Sequence, residues 1–315
     1  MNLKEKKVVI IGAGNVGATT AYTMINQELC EEIVLVDMNK EKVLGEIMDM
    51  QHSIYFMNRN IKIKSGDYSD CRGADIVIIT AAAPMDPNAN DRLKMLSSSK
   101  KVMKDIVESI MKNGFDGVML VVSNPVDIMT YYAWKISGLP TNQVIGSGTT
   151  LDMARLSVRL SSMYDLDSKS VSAFVMGEHG DSEVVSWDSA TIGGKKLIDV
   201  MSDNKERTKD ETFDKLRKET TESGWKIFNK KGNTSYGIAA SVVAIAKSIL
   251  FNENKIYPIT TFLNGEYGLN NIYISVPTII GSNGAKEVVE IKLTEEEKNN
   301  LLKSACVIKS NYSLL

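Results

Sequence analysis

Two histidines occur in the 315 residues, and they stand in very different settings. His179 lies in Met176-Gly177-Glu178-His179-Gly180-Asp181, directly after an apolar run and between glycines that let another molecule come close. A loop at a strand end is a usual seat of chemistry, and imidazole is the side chain whose ordinary pKa suits it to proton exchange near neutrality. His52, in Asp49-Met50-Gln51-His52-Ser53, falls on a polar helical stretch and is expected to be solvent-facing or structural. Leu151-Asp152-Met153-Ala154-Arg155 sets a carboxylate and a guanidinium three apart, hence on one helix face. Taken alone, that spacing makes a local ion pair worth a few tenths of a kcal/mol. Arg92 ends an unusually polar, turn-rich stretch, AAAPMDPNANDR, and taken alone reads as a helix-start residue facing solvent. Asn124, in Ser123-Asn124-Pro125-Val126-Asp127, follows an apolar strand that Pro125 must end, which leaves it at the carboxyl edge of a sheet where ligands of open α/β folds bind.

A second constellation is Gly12-Ala13-Gly14-Asn15-Val16-Gly17, between an expected strand and an expected helix. Glycines in that spacing also cluster in ordinary turns. Here, however, the next strand ends in Asp37, 20 residues beyond Gly17, where a carboxylate can accept from the hydroxyls of an adenosine ribose. Gly12 would permit the tight turn, Gly14 would let a pyrophosphate approach, Gly17 would let helix and strand pack, and the helix N-terminus would supply aligned N–H donors. The pattern points to NAD. The charge of Asp37 would repel the 2′-phosphate of NADP.

These residues need a scaffold, and the chain outlines one. Short β-branched runs (VVIIGAG, EEIVLVD, Asp75 to Thr80, Gly117 to Val122) alternate with longer helical stretches, among them Arg92 to Asn113, as expected for parallel strands joined by crossover helices. After Val144-Ile145-Gly146 the texture changes: a helix from about Leu151, a strand over Val171 to Met176, and a Lys-rich stretch from Ser202 to Lys218 read as a helix and its approach. YISVPTIIG and KEVVEIKL read as antiparallel strands, and a last helix opens with a capping box from Thr294 to Glu297. The expectation is an α/β doubly wound Rossmann domain over 1–146 and a mixed α+β catalytic domain over 147–315.

Lys and Arg total 37 against 39 Asp and Glu, so a net charge of -2 gives no reason to expect nucleic acid or an anionic membrane as partner. Any acidic ligand must be held by locally placed cations. Cys30, Cys71 and Cys306 are too scattered for a disulfide framework or a zinc knuckle and suit a reducing cytoplasm. No metal site is expected, and no apolar stretch reaches membrane-spanning length.

The segments GAGNVG, VDMNKEKVLGEIMDMQHS, DYSDCRGADIVIIT, DR, SNPVD, GSGTTLDMAR, GEHGDS and KKGNTSYGIA occur in the order and at nearly the spacing of the L-lactate and malate dehydrogenase family, which the whole chain resembles. NDR…GFDGVMLVVSNPVD, LDMAR and TSYGIA look most like its L-2-hydroxyisocaproate branch. The resemblance implies an NAD-dependent oxidoreductase that interconverts a small 2-oxo acid and its L-2-hydroxy acid, in a homotetramer or dimer. It implies that His179 gives the proton to the carbonyl oxygen, that Asp152 orients His179, and that Arg155 holds the substrate carboxylate. Arg92 would polarise the carbonyl from a closing loop, Asn124 would bond its oxygen, and Thr234 and Ile238 would line the substrate and nicotinamide regions.

Three departures bear on specificity. The loop before Arg92 is one residue longer than in common lactate enzymes, and the substrate-selecting position falls on Met85 aligned by Pro87, or on Asp86 counted back from Arg92. Neither is the Gln of lactate enzymes or the Arg of malate enzymes. With no cation from Ala81 to Asp91, a dicarboxylate should be a poor substrate, whereas pyruvate and branched 2-oxo acids both suit Met85. Asn233 stands where Tyr or Ala is common and carries no inference. Ser157 and Ser172 replace the Arg and His of sugar-bisphosphate-activated relatives, so fructose 1,6-bisphosphate is not expected to activate. Two other classes fit less well: NAD-dependent glycoside hydrolases need metal ligands this chain lacks, and a silent NAD-binding protein would not need His179, Asp152, Arg155 and Arg92 together.

Overall fold

The computed structural model describes residues 5–83 and 92–315, without the side chains of 92–95. Met85 and Asp86 therefore lie outside the described residues, as does the side chain of Arg92. The first half runs Lys7–Ile11 (β1), Asn15–Asn26 (α1), Glu32–Val36 (β2), Lys40–Ile54 (α2), Lys62–Ser65 (β3), Ile76–Ile79 (β4), Arg92–Lys112 (α3), Val118–Val121 (β5), Val126–Ser137 (α4) and Val144–Gly146 (β6). The second continues with Thr150–Tyr164 (α5), the short strands Val171–Ser172 (β7), Val175–Met176 (β8), Val184–Val185 (β9), Thr191–Ile192 (β10) and Lys195–Lys196 (β11), then Leu197–Asp203 (α6) and Lys205–Thr208 (α7). Phe213–Lys231 (α8), Tyr236–Leu250 (α9), Lys255–Asn264 (β12), Asn270–Gly281 (β13), Gly284–Val288 (β14) and Glu295–Ser310 (α10) complete it.

Strands β1 to β6 are parallel in the order β3-β2-β1-β4-β5-β6, a doubly wound sheet whose direction of winding reverses between β1 and β4. The apolar runs are continuous because helices cover both faces. Alternate residues divide between two cores: Val9, Ile11, Val77, Ile79, Met119 and Val121 face α3, α4 and α10, while Val8, Ile10, Ile76, Ile78, Val118 and Leu120 face α1, α2 and α9. A smaller third core joins Leu156 and Leu160 of α5 to Leu216 of α8 and the short strands.

The sheet continues past Gly146. Strand β12 pairs antiparallel with β6 at Thr260, and β13 and β14 follow it, giving a nine-stranded sheet among the described residues. Strand β12 is not among the expected elements; in the fold its Pro258 pairs with Pro277 of β13, and the Pro258 carbonyl accepts from Thr149 N. Strand β3, with Lys62 and Lys64 outward and Ile63 inward, was also too polar to read as one. The strand expected over Val171 to Met176 is two: β7 pairs with β10, and β8 pairs with β9. Of KEVVEIKL only the first residues pair, within β14. The capping box forms, Glu297 N donating to Thr294 Oγ1 at 3.2 Å and Thr294 N to Glu297 Oε2 at 2.8 Å. His52 is exposed on α2, in keeping with a solvent-facing role.

Candidate active site

The loop after β1 lies at the winding reversal and is made of main chain. Gly12 adopts φ +105°, and a Cβ there would come within 2.7 Å of Ala81 N just beyond β4. A Cβ on Gly17 would overlap the Gly12 carbonyl oxygen, so α1 can pack this close to β1 only without one. At Gly14 the reverse holds: nothing lies within 4 Å of where a Cβ would stand, and this residue is the N-cap of α1. No side chain caps α1 and no acid occupies its first turn, which begins with Asn15 and Val16. An uncapped N-terminus beneath open space is a fit for a pyrophosphate. Asp37 Oδ2 accepts from Ala13 N at 2.7 Å and Oδ1 from Asn39 N at 2.9 Å. The carboxylate thus fastens the glycine loop as well as presenting charge beside it, with lone pairs left for ribose hydroxyls.

The second loop, after β8, is fastened by side chains from distant elements. Gly177 adopts φ +95°, and its main chain pairs with Ser275 of β13. Glu178 N donates to Ser304 Oγ of α10 at 2.8 Å, and His179 N donates to Asp127 Oδ2 of α4 at 2.8 Å. Asp127 is fully buried, and its Oδ1 accepts from Thr260 Oγ1 and Ser275 Oγ at 2.7 and 3.0 Å. Burial raises its pKa against the pull of these donors. One carboxyl therefore ties α4, β12, β13 and the His179 loop together. In the sequence Asp127 showed only as the end of SNPVD; an acid in the first turn of a helix is usually a dipole partner facing water, so nothing marked it as an anchor.

His179 Nδ1 lies 2.6 Å from Asp152 Oδ2, and Arg155 Nη1 lies 2.7 Å from Asp152 Oδ1. An ionised carboxylate only accepts, so Nδ1 carries hydrogen and Nε2 is the free nitrogen of the neutral ring. Asp152 is 2 % exposed and His179 27 %, so the carboxylate is sealed below while the ring remains reachable. Burial opposes the charge of Asp152, yet the neighbouring His179 and Arg155 outweigh it and hold its pKa below the usual carboxylate range. The same charge, more than offsetting desolvation, pushes His179 up to about 9. The imidazolium is thus the resting form at neutral pH.

Arg155 lines a cleft of about 760 Å³ between α5, α8 and α9, which Thr234 and Ile238 also border, both half-buried. Gly224 of α8 sits against its guanidinium: a Cβ there would come within 3.3 Å of Nη2. Gly224 was not singled out from the sequence, since a mid-helix glycine has no local signature of what it faces. Asn124 is exposed at the carboxyl end of β5. Ser157 is buried on α5 and Ser172 exposed on β7. Among the described residues no group of three or more His, Cys, Asp or Glu could hold a metal ion, and no helix is long and apolar enough to cross a membrane.

Known proteins match the chain along nearly its whole length. Residues 6–146 match the lactate/malate dehydrogenase NAD binding domain, and residues 149–314 the lactate/malate dehydrogenase alpha/beta C-terminal domain. The chain is 43% identical over 309 residues to L-lactate dehydrogenase 3 of Bacillus thuringiensis subsp. konkukian (strain 97-27), covering 98% of each. It is 45% identical over 307 residues to L-lactate dehydrogenase 2 of Bacillus anthracis, covering 98% of this chain and 97% of the relative. The solved minor L-lactate dehydrogenase from Enterococcus mundtii, in its ligands-bound form, superposes with a TM-score of 0.95 at 37% identity, over 99% of this chain and 98% of that one. With both halves matched along nearly their whole length, the chain belongs to the lactate/malate dehydrogenase family.

Proposed function

We propose that the chain is an NAD-dependent L-2-hydroxyacid dehydrogenase of the lactate type, reversibly reducing a small 2-oxo acid such as pyruvate. The observation that carries this reading is the line His179–Asp152–Arg155: a proton-bearing imidazole and a guanidinium held on the two oxygens of one buried carboxylate. His179 gives its Nε2 proton to the carbonyl oxygen in reduction and takes it back in oxidation. Asp152 holds the tautomer and stabilises the imidazolium. Arg155 spends Nη1 on Asp152 and keeps the rest of its fork for the substrate carboxylate. Arg92 polarises the carbonyl, Asn124 bonds its oxygen, Thr234 lines the substrate and Ile238 the nicotinamide. Gly12, Gly14, Asn15, Val16 and Gly17 cradle the pyrophosphate, and Asp37 takes the ribose hydroxyls and disfavours NADP. When bound, the nicotinamide supplies or accepts the hydride.

A second reading, preference for branched 2-oxo acids, is favoured by the apolar Met85. The test is NADH consumption with pyruvate, 2-oxobutyrate, 2-oxoisocaproate and oxaloacetate under one condition. Pyruvate or 2-oxoisocaproate should lead and oxaloacetate trail; turnover of none would refute the function, and an oxaloacetate lead would refute the substrate reading. We also assign a cytoplasmic homo-oligomer, a tetramer or dimer. The three thiols are free, and α2 with its following turn exposes Met48, Tyr55 and Phe56 at 58%, 86% and 83% of their surface, apolar side chains that a second copy would cover. Light scattering that returned a monomer would refute it.

A further inference from the structure

Four residues past His179, Glu183 is 3 % exposed. The cations facing it, His179 from its loop and Arg155 from α5, are both already engaged by Asp152, which also faces it with a like charge. Its Oε1 lies 2.5 Å from Thr221 Oγ1 on α8, and the same hydroxyl lies 3.1 Å from the Arg217 carbonyl one turn back. A hydroxyl has a single proton. If Glu183 is ionised, Thr221 must serve two acceptors with one donor, and one contact fails. If Glu183 holds a proton, its O–H donates to Thr221 Oγ1, Thr221 donates to the Arg217 carbonyl, and both contacts are made.

We propose that Glu183 is a positioning residue for proton transfer at His179: it works as the neutral acid, holding α8 beside Arg155 through Thr221, and on losing its proton adds its charge to those of Asp152 and Asp127 in the field of His179. This rests on the reading of His179 as the proton donor. The bond spans from the His179 loop to α8, and α8 is also the helix whose Gly224 abuts the Arg155 guanidinium, so what fixes α8 fixes the wall of the carboxylate clamp. Desolvation, and then the charge of Asp152, push Glu183 up to about 8, while His179 stands at about 9. Once ionised, Glu183 adds to the negative field that resists the deprotonation of His179. On its outer side Glu183 borders a groove that Asp181, Asp188, Asp214, Arg217, Glu296, Glu297 and Lys303 also line, a mixed set with acids in excess.

The experiment compares Glu183→Gln, Glu183→Ala and Thr221→Val with the parent protein. Gln is the permanent mimic of the neutral acid, since its amide N–H can donate to Thr221. At pH 6.5 Ala and Val should each raise the KM for the 2-oxo acid about fivefold, the scale of one lost hydrogen bond, and Gln should restore it. In the kcat/KM profile for reduction, Gln should move the alkaline limb to lower pH by roughly half to one unit, because the charge that held the proton on His179 is gone. An unmoved limb overturns the electrostatic part, and a KM raised as much by Gln as by Ala overturns the neutral-acid part. Carboxyl carbon NMR of the parent, with the signal lost in Glu183→Gln taken as Glu183, reads protonation without turnover: titration near 8 supports the proposal and titration near 4.5 defeats it. If the parent reduces no 2-oxo acid, the function fails while the NMR result still stands.

Discussion

The loops after β1 and β8 both close a strand with glycine at positive φ, and both present a group for a ligand, yet they are built from different material. The first is main chain, and its fastener, Asp37, is 24 residues from the Ala13 N–H it holds. The second is held by Asp127, 52 residues away, by Asp152, 27 away, and by Ser304, 126 away. A cradle for a pyrophosphate needs only aligned N–H groups, which one turn and one helix supply. A proton donor with a tuned pKa needs a low-dielectric wall and a chosen counter-charge, and these arrive from other elements. Damage to the chemistry should therefore leave the cradle intact, and the reverse.

The sharpest way to break this division is His179→Ala. Turnover should fall by about 10³- to 10⁴-fold with NADH affinity within twofold of the parent; binding by fluorescence titration and kcat together check it, and a near-normal kcat would move the proton to another group. Arg155→Lys should cost about 10²-fold in kcat/KM, mostly as KM, because a point charge replaces a planar fork and also loosens the hold on Asp152. The third test is pH. Reduction needs the imidazolium, so with His179 at about 9 its kcat/KM should be flat through neutrality and fall about tenfold per unit above that value. Oxidation needs the neutral ring and should rise over the same range; a reductive limb near the ordinary histidine value would mean that Asp152 does not act on His179 as the geometry requires.

On the cradle side, Asp37→Ser should narrow the NADH-over-NADPH ratio of kcat/KM by about tenfold, through both the lost repulsion and the loosened Ala13 bond. Comparable use of the two cofactors by the parent would remove the basis for that test. The smallest effect expected is that of Gly224→Ala. A helix-interior alanine should add up to about 1 kcal/mol of stability, while its methyl presses on Arg155 and raises the KM about threefold. A rise in Tm with unchanged KM would show that α8 gives way.

How much could be read in advance follows the same line. The buried runs of β1, β2, β4 and β5, the glycine spacing with Asp37, and the Thr294 capping box are local patterns, and each was legible from neighbours in the chain. Strand β12 was not among the expected elements, and only the fold shows it lying against β13 with Pro258 opposite Pro277. The Asp152–Arg155 spacing was visible, and its simplest reading, an ion pair, is present. That the same carboxylate also holds His179 was visible only through resemblance.

The residues alone determined which groups exist to do chemistry and which short elements carry them, because helix and strand periodicity, turn geometry and a dinucleotide turn are set within a few tens of residues. The tertiary structure decided what those groups experience. Asp152, Asp127 and Glu183 are all acids in the sequence, yet the first is held below the usual range by two cations, the second is buried on three donors, and the third is raised by burial with its neighbouring cations already engaged. Ionisation is governed by what surrounds a group within a few ångströms, and that is settled only when distant segments are brought together.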